Sequence, residues 1–554
     1  MRRFRISTVF FLFLVTILKV HASDSSPLEY RLPAVVDSQI IGDRMTEVWG
    51  ALYLPDDFSS YGTQKYPLVL FVHGDHNTCM DLESGEAKSC EYTMTGSCPS
   101  GSVPHPNHLG YTYAARELTS LGYIVLSVNA NRGLTCAWDK GGFPDDDRFG
   151  MQARGNLILK HLSYLSEWNQ SQSRALIKGV ELQGRIDFNR VGMMGHSIGG
   201  GSVRSAYESY LLNKEDWQNK IQDRVHFTGI FEMGGGSGDH LLDRIDVPWA
   251  YLASSCDIQV PTEDALRVLS SFNQIESQTA PQMVMTVGGA NHSFFNTYWR
   301  KNWSTGCINE DPLFDLGAKE SKVMQRIGKT ALVEFFQAAN QSSIKGWSFF
   351  DPQYKLPEDI ESNYHLSRFF SDSSKLSKPV LLDDLKTSKE KNSRGVSYQT
   401  ENLELEVKDL LREQKFYQTQ AHWLAMRLFW SQSDQPIYFQ TEFSVPEDLS
   451  SRSLLSLTLL PDHFNKRSLV SNPHVLLQLV QEDGSLSTAF DSREQVEYLR
   501  PTGDPYWEYQ AAPQAIRVPL DVFKGVDFSK IKGVRILFDQ NTSGSLFAKD
   551  LLFY

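Results

Sequence analysis

Along the first half of the chain, short apolar runs alternate with segments whose apolar residues recur at helical spacing. Residues 67–72 read Pro-Leu-Val-Leu-Phe-Val and end at His73-Gly74. A run with no polar face fits a strand inside a parallel sheet covered on both sides. From 110 to 121, Tyr113, Ala114, Leu118 and Leu121 keep helical spacing, Gly122 stops the pattern, and 123–128 is again rich in β-formers. This stretch predicts a βαβ unit. Further helices are predicted over 151–168 and 320–339, and further strands over 190–194, 225–231, 248–253 and 282–287. The alternation predicts an α/β domain over 27–342, with helices on both faces of a mostly parallel sheet. Residues 343–395, rich in Ser, Lys, Asp and Pro, read as a polar connector running over that domain's surface. The pattern then changes to short β-rich runs at 437–443, 454–460, 474–479, 515–518 and 534–538. These predict an antiparallel sandwich of jelly-roll type over 396–554.

The N-terminus adds a compartment. Met1-Arg2-Arg3-Phe4-Arg5 precedes an apolar stretch over 6–20 and a small-residue end at Val20-His21-Ala22, the pattern of a secretory signal peptide over 1–22. The apolar run is short of the ~20 residues of a spanning helix, and an uncleaved signal anchor is the alternative. The chain is therefore expected to be secreted or periplasmic. All six cysteines, at 79, 90, 98, 136, 256 and 307, fall in the first 310 residues, and an even count in an exported chain predicts disulfides. A net charge of −12 with no cluster of Lys and Arg argues against a nucleic-acid partner.

The chemistry starts at Gly195-His-Ser197-Ile-Gly199, which follows the 190–194 strand and opens a run of small residues. A serine on a sharp strand-to-helix turn needs glycine two positions before and after it, and this is the nucleophile elbow of the α/β-hydrolase fold. Serine is a weak nucleophile without a histidine base and an acid to orient that base, and in this fold they follow in the order Ser, acid, His. His292, in Gly288-Gly-Ala-Asn-His-Ser-Phe-Phe295 after the 282–287 strand, is the expected base, with His240 a weaker rival. Asp257, on the loop after 248–253, is the expected acid, with Glu232, Asp239, Asp243 and Asp246 as substitutes. The oxyanion is assigned to the amides of Ile198 and Asp75. His73, Asp75 and His76 crowd one turn without a further ligand at typical spacing, and Asp145-Asp-Asp147 lacks the alternating ligands of a calcium loop, so no metal or cofactor is expected. A Cys256–Cys307 bridge would tie the acid loop to the histidine loop. Six cysteines allow 15 pairings, and Cys79–Cys90 with Cys98–Cys136 is the arrangement expected for the rest. Trp138, Phe294, Phe295, Tyr298 and Trp299 are candidates to contact an apolar acyl group, with plain packing as the alternative.

Residues 67–74, the block Cys98-Pro…Gly110 to Asn131, residues 190–200 and Gly289-Ala-Asn-His292 together resemble secreted α/β-hydrolases of the chlorophyllase, dienelactone-hydrolase and cutinase-like polyester-hydrolase neighbourhood, over residues 45–335. The resemblance implies Ser197, Asp257 and His292 as triad, Asp75 and Ile198 as oxyanion amides, and an ester substrate with an apolar acyl group or a polymer. Some cutinase-like relatives also join the acid and histidine loops by a disulfide. The chain departs from them in its cysteine-bearing loop over 75–108 and in its C-terminal domain. Residues 533–554 resemble the last strands of galactose-binding-like modules, which implies a carbohydrate partner for that domain, a purely structural module being the alternative. The function expected is an exported serine hydrolase that cleaves carboxylic esters through an acyl-enzyme. A peptidase or acyltransferase with the same triad, or a non-catalytic cell-surface carbohydrate-binding protein, are the alternatives.

Overall fold

The apolar run ending at His73-Gly74 is buried along its whole length, from Tyr66 to Val72, in a computed structural model of the chain. That model describes residues 26–554 except 59–61, 138–141, 145–146, 148, 171–179, 237–245, 273–279, 302–303, 305, 316, 342–343, 362–363, 372–378, 412–421, 466–471, 497–498 and 506–507. The expected signal peptide, and with it the reading of 1–22, lies outside the described residues. Strands β1 (Leu28–Arg31), β2 (Trp49–Tyr53), β3 (Tyr66–Val72), β4 (Ile124–Asn129), β5 (Ile186–His196), β6 (Phe227–Met233), β7 (Trp249–Ser254), β8 (Gln282–Val287) and β9 (Leu366–Ser371) form one sheet in the order β1-β2-β4-β3-β5-β6-β7-β8-β9. Pairs from β4 to β8 are parallel, while β1/β2, β2/β4 and β8/β9 are antiparallel.

Helices α1 (Thr112–Ser120), α2 (Met151–Gln170), α3 (Ile198–Leu211), α4 (Asp264–Phe272) and α5 (Lys322–Gln341) cover the sheet. Successive strand side chains point to opposite faces, and β3 divides accordingly. Leu68, Leu70 and Val72 join Leu157, Leu162 and Val203 of α2 and α3. Val69 and Phe71 join Ala114, Leu118, Ile327 and Phe335 of α1 and α5. Among the described residues, no helix is long and apolar enough to cross a membrane.

The polar connector expected over 343–395 differs from this. Its Leu366–Ser371 stretch is edge strand β9, because Phe369 and Phe370 find apolar cover on opposite faces of the sheet. Val380–Asp383 instead pairs with Gly544–Phe553 at the other end of the chain. The second domain is a sandwich of two antiparallel sheets. One carries Leu424–Trp430, Leu454–Pro461, Gln514–Pro519 and Gly544–Phe553; the other carries Ile437–Glu447, Val475–Gln481 and Ile531–Phe538. Side chains from both, such as Leu428, Leu457, Phe439 and Ile536, share one core.

The chain holds three disulfides, Cys79–Cys98, Cys90–Cys136 and Cys256–Cys307. The pairings Cys79–Cys90 and Cys98–Cys136 are thus corrected. Cys79–Asp81 is the middle strand of a small sheet with Ala87–Ser89 and Ser102–Pro104. Cys90 leaves that sheet into the helix Glu91–Thr95, which is bound to the 133–136 turn through Gly133 N to Thr93 O at 2.9 Å and Thr93 Oγ1 to Thr135 O at 2.6 Å. That packing delivers Cys90 to Cys136. Peptide mapping without reduction is expected to recover these three pairs, and a Cys90→Ala/Cys136→Ala variant to lose about 3 kcal/mol in denaturant unfolding.

Candidate active site

Strand β5 hands Ser197 to α3 at a turn where the serine backbone takes φ +58° and ψ −133°, a positive-φ conformation that residues other than glycine seldom adopt. The neighbouring glycines make the turn possible. A Cβ on Gly195 would stand 2.0 Å from the Gly199 carbonyl oxygen, and one on Gly199 would stand 2.6 Å from that of Val72. The turn after β3 presses equally close, since a Cβ on Gly74 would lie 2.4 Å from Ser197 Cβ. Ser197 N donates to Met233 O at 3.0 Å, and Gly236 N donates to Ser197 O at 3.0 Å, which fixes the elbow against the end of β6.

His292 and Asp257 meet beside this turn. His292 Nδ1 is 2.6 Å from Asp257 Oδ2, with both side chains buried. The other Asp257 oxygen accepts from Gln259 N at 2.7 Å and Val260 N at 2.9 Å, so the carboxylate is aimed by its own loop. His292 Nε2 is buried and makes no hydrogen bond among the described residues. The pair and the elbow are linked through His196, the residue before the serine. Its Nε2 bonds the His292 carbonyl at 2.9 Å, and the two rings lie 5.2 Å apart. A carbonyl only accepts, so His196 Nε2 carries the proton and Nδ1 accepts from Tyr111 O–H at 2.9 Å. Burial holds the His196 pKa well below the ordinary range, and the ring is neutral.

The two amides assigned to the oxyanion belong to the start of α3 and to the turn after β3. Ile198 is the first residue of α3, so its N–H has no acceptor within the helix and sits at the positive end of the dipole. At the turn after β3, His73 Nε2 accepts from Ala130 N at 2.9 Å, which leaves Nδ1–H to donate to Gly74 O at 2.8 Å. That bond orients the peptide whose nitrogen belongs to Asp75. The Asp75 carboxylate accepts from Cys136 N at 2.5 Å and Arg154 Nη2 at 3.4 Å, locking the loop to the Cys90–Cys136 bridge. Both ring nitrogens of His73 are thus engaged in hydrogen bonds, and burial lowers its pKa. Asp147 caps α2 through Gln152 N and Ala153 N, each at 2.9 Å. Among the described residues, no group of three or more His, Cys, Asp or Glu side chains is arranged to hold a metal ion.

Phe294 and Phe295 are fully buried members of the core beside α5, and Trp299 is 1% exposed. Such burial is what the packing alternative for these rings expects, and Trp138 lies outside the described residues. Glu232 is engaged elsewhere: Trp249 Nε1 at 2.6 Å and Arg204 Nε at 2.9 Å hold it, and burial raises its pKa. Asp246 lies before the start of β7, at the opposite end from Asp257. His240, Asp239 and Asp243 lie outside the described residues.

Four supporting groups escaped the sequence reading: His73, Tyr111, His196 and Glu310. Glu310, its pKa raised by burial, bonds the Ser255 hydroxyl and accepts from Gly289 N at 2.9 Å. It therefore joins the loop before Asp257 to the turn before His292. The dipeptides His73-Gly74 and His196-Ser197 were visible signals, whereas Tyr111 and Glu310 are joined to the site only by tertiary packing.

No family model matches the chain, and no curated protein matches it at significant similarity. The steric margin at the elbow is directly testable. Gly74→Ala is expected to cost about 2 kcal/mol of stability by overpacking, read as a lowered melting temperature.

Proposed function

We propose that the chain is an exported serine hydrolase of the α/β-hydrolase fold that cleaves carboxylic esters through an acyl-enzyme on Ser197. The observation that carries this reading is a buried Asp257–His292 pair at 2.6 Å, with His292 Nε2 unpaired, next to a serine at positive φ. Ser197 Oγ attacks the ester carbonyl while His292 Nε2 takes its proton, and Asp257 holds Nδ1–H and offsets the charge on the imidazolium. The carbonyl oxygen, now an anion, is received by the amides of Ile198 and Asp75. His292 returns the proton to the leaving alcohol. A water molecule then repeats the sequence against the acyl carbonyl and frees Ser197. The free enzyme has no Ser197–His292 hydrogen bond, a contact that often tightens only once substrate is bound. Three disulfides and an N-terminal charged-then-apolar stretch support export.

The test is turnover of a short-to-long series of p-nitrophenyl esters, with fluorophosphonate labelling of the same preparations. Ser197→Ala is expected to abolish both signals. Asp257→Asn is expected to keep the fold and lower kcat by about 10⁴, the scale seen when a triad histidine loses its tautomer-fixing acid. Unchanged turnover in Ser197→Ala would sink the reading.

A further inference from the structure

The loop bearing Asp257 is gripped from two directions, and one grip comes from the second domain. Cys256, next to the acid, is bonded to Cys307. On one side the 306–310 segment holds the site, through that bridge and through Glu310 on Ser255 and Gly289. On its other side it is bound to the hairpin Thr502–Asp504/Glu508–Gln510. Ile308 N donates to Gly503 O at 2.8 Å, Asn309 Nδ2 to Pro501 O at 3.0 Å, and Ser304 Oγ to the fully buried Asp504 at 2.8 Å.

The same hairpin reaches the far end of the acid loop. Thr262 N donates to Gln510 Oε1 at 2.5 Å, and Ala511 N donates to Glu263 Oε1 at 3.2 Å. His463, from the same domain, stands 3.4 Å from Glu263. Helix α4, which continues that loop, is buried on every side: Ala265, Leu266, Val268 and Leu269 are 0–1% exposed, and Arg267 and Asp264 are enclosed as a 3.2 Å ion pair. Such burial needs cover on the face turned from the sheet. Trp423, Leu411, Leu460, Ala511 and Ala515 of the second domain belong to the same apolar cluster as Ala265, Leu266, Val268 and Leu269 of α4.

We propose that the second domain is a positioning domain for the catalytic acid, with Gln510 and Asp504 as its positioning residues. This rests on the reading of Ser197, His292 and Asp257 as a triad. The hairpin fixes both flanks of the Cys256–Cys307 bridge and thereby the direction of the Asp257 carboxylate. An ångström of misplacement in such a group costs about 100-fold in rate, so a second domain docked on this loop acts on kcat without touching substrate. Carbohydrate binding by that domain requires none of these contacts.

The experiment compares full-length wild type, Ser197→Ala, Gln510→Ala, Asp504→Ala and Asp504→Asn, with Val445→Ser, an exposed site in the sandwich, as control. Gln510→Ala and Asp504→Ala are expected to lower kcat on p-nitrophenyl butyrate about tenfold, with KM within about twofold and fluorophosphonate labelling slowed in step. Asp504→Asn keeps an oxygen for the Ser304 hydroxyl and is expected to recover most of the loss, while Val445→Ser matches wild type. Should the alanine variants not fold, hydrogen exchange on wild type decides. The Thr262 and Ile308 amides are expected in the slow class, and exchange at the rate of open loop amides overturns the proposal. Full activity in both alanine variants, with activity lost in Ser197→Ala, also overturns it and leaves the triad standing. Activity surviving in Ser197→Ala places the failure in the triad reading.

Discussion

The left-handed backbone of Ser197 is the constraint around which the first domain is arranged. A non-glycine residue held there stores of order 1–3 kcal/mol, and the surroundings must over-determine it. They do so by close approach: glycines at 74, 195 and 199 let the turn after β3, the end of β5 and the start of α3 come within distances that any Cβ would forbid. Hydrogen bonds from Ser197 N to Met233 O and from Gly236 N to Ser197 O then close the cage from the β6 side. Because the parallel strands β3, β5 and β6 are adjacent in the sheet, their ends necessarily converge on this serine. Strain, glycine placement and sheet order are one requirement seen at three scales.

Around His292 the chain has gathered other imidazoles, and their charge state matters more than their number. Desolvation lowers His76 to about 4 and His105 to about 3, and holds His73 and His196 lower than an exposed imidazole. At neutral pH all four are uncharged. A cation on His196, with its ring 5.2 Å from that of His292, would oppose an imidazolium there by about 3 kcal/mol at an effective dielectric of ~20. Trp299 keeps the group dry and ordered, stacking on His196 at 4.5 Å and on His76 at 5.1 Å. Its indole N–H is satisfied by Asn107 Oδ1 at 2.8 Å. The aromatic cluster is therefore a neutral, packed wall beside His292.

Local pattern made much of this legible. The strand expected over 282–287 is Gln282–Val287, and those expected over 67–72 and 454–460 differ from Tyr66–Val72 and Leu454–Pro461 by single residues. Helices expected over 151–168 and 320–339 run as Met151–Gln170 and Lys322–Gln341. Each is marked by its own local sequence, as a continuous apolar run or as apolar residues at helical spacing. What stayed hidden depends on distant neighbours. Strand β9 sits in a polar stretch and exists because β8 offers it an edge. Helix α4 was not foreseen, although Ala265, Leu266, Val268 and Leu269 alternate with Asp264, Arg267 and Ser271 at helical spacing, because the segment is only nine residues long. Cysteine pairing followed from where the helix Glu91–Thr95 packs, which spacing does not encode. In the site, Ser197, Asp257 and His292 could be nominated from motif and chain order, while Tyr111 and Glu310 act through hydrogen bonds that have no signature in sequence.

The bridge and the second domain constrain the acid loop in different ways, which explains the presence of both. A disulfide across 51 residues chiefly removes conformations from the unfolded chain. It sets one distance, a Cα separation of 4.9 Å, and leaves the loop free to rotate about it. Direction comes from hydrogen bonds: Gln259 N and Val260 N on the carboxylate, Thr262 N on Gln510, and Ser304, Ile308 and Asn309 on Asp504, Gly503 and Pro501. The apolar cluster shared by α4 and the sandwich makes those bonds cooperative, because water cannot enter to replace them without exposing Leu266, Leu269 and Trp423 together. Under the proposed triad, the acid loop is thus completed only when two domains with separate strand grammars have docked, and the geometry of the triad becomes a property of the whole chain.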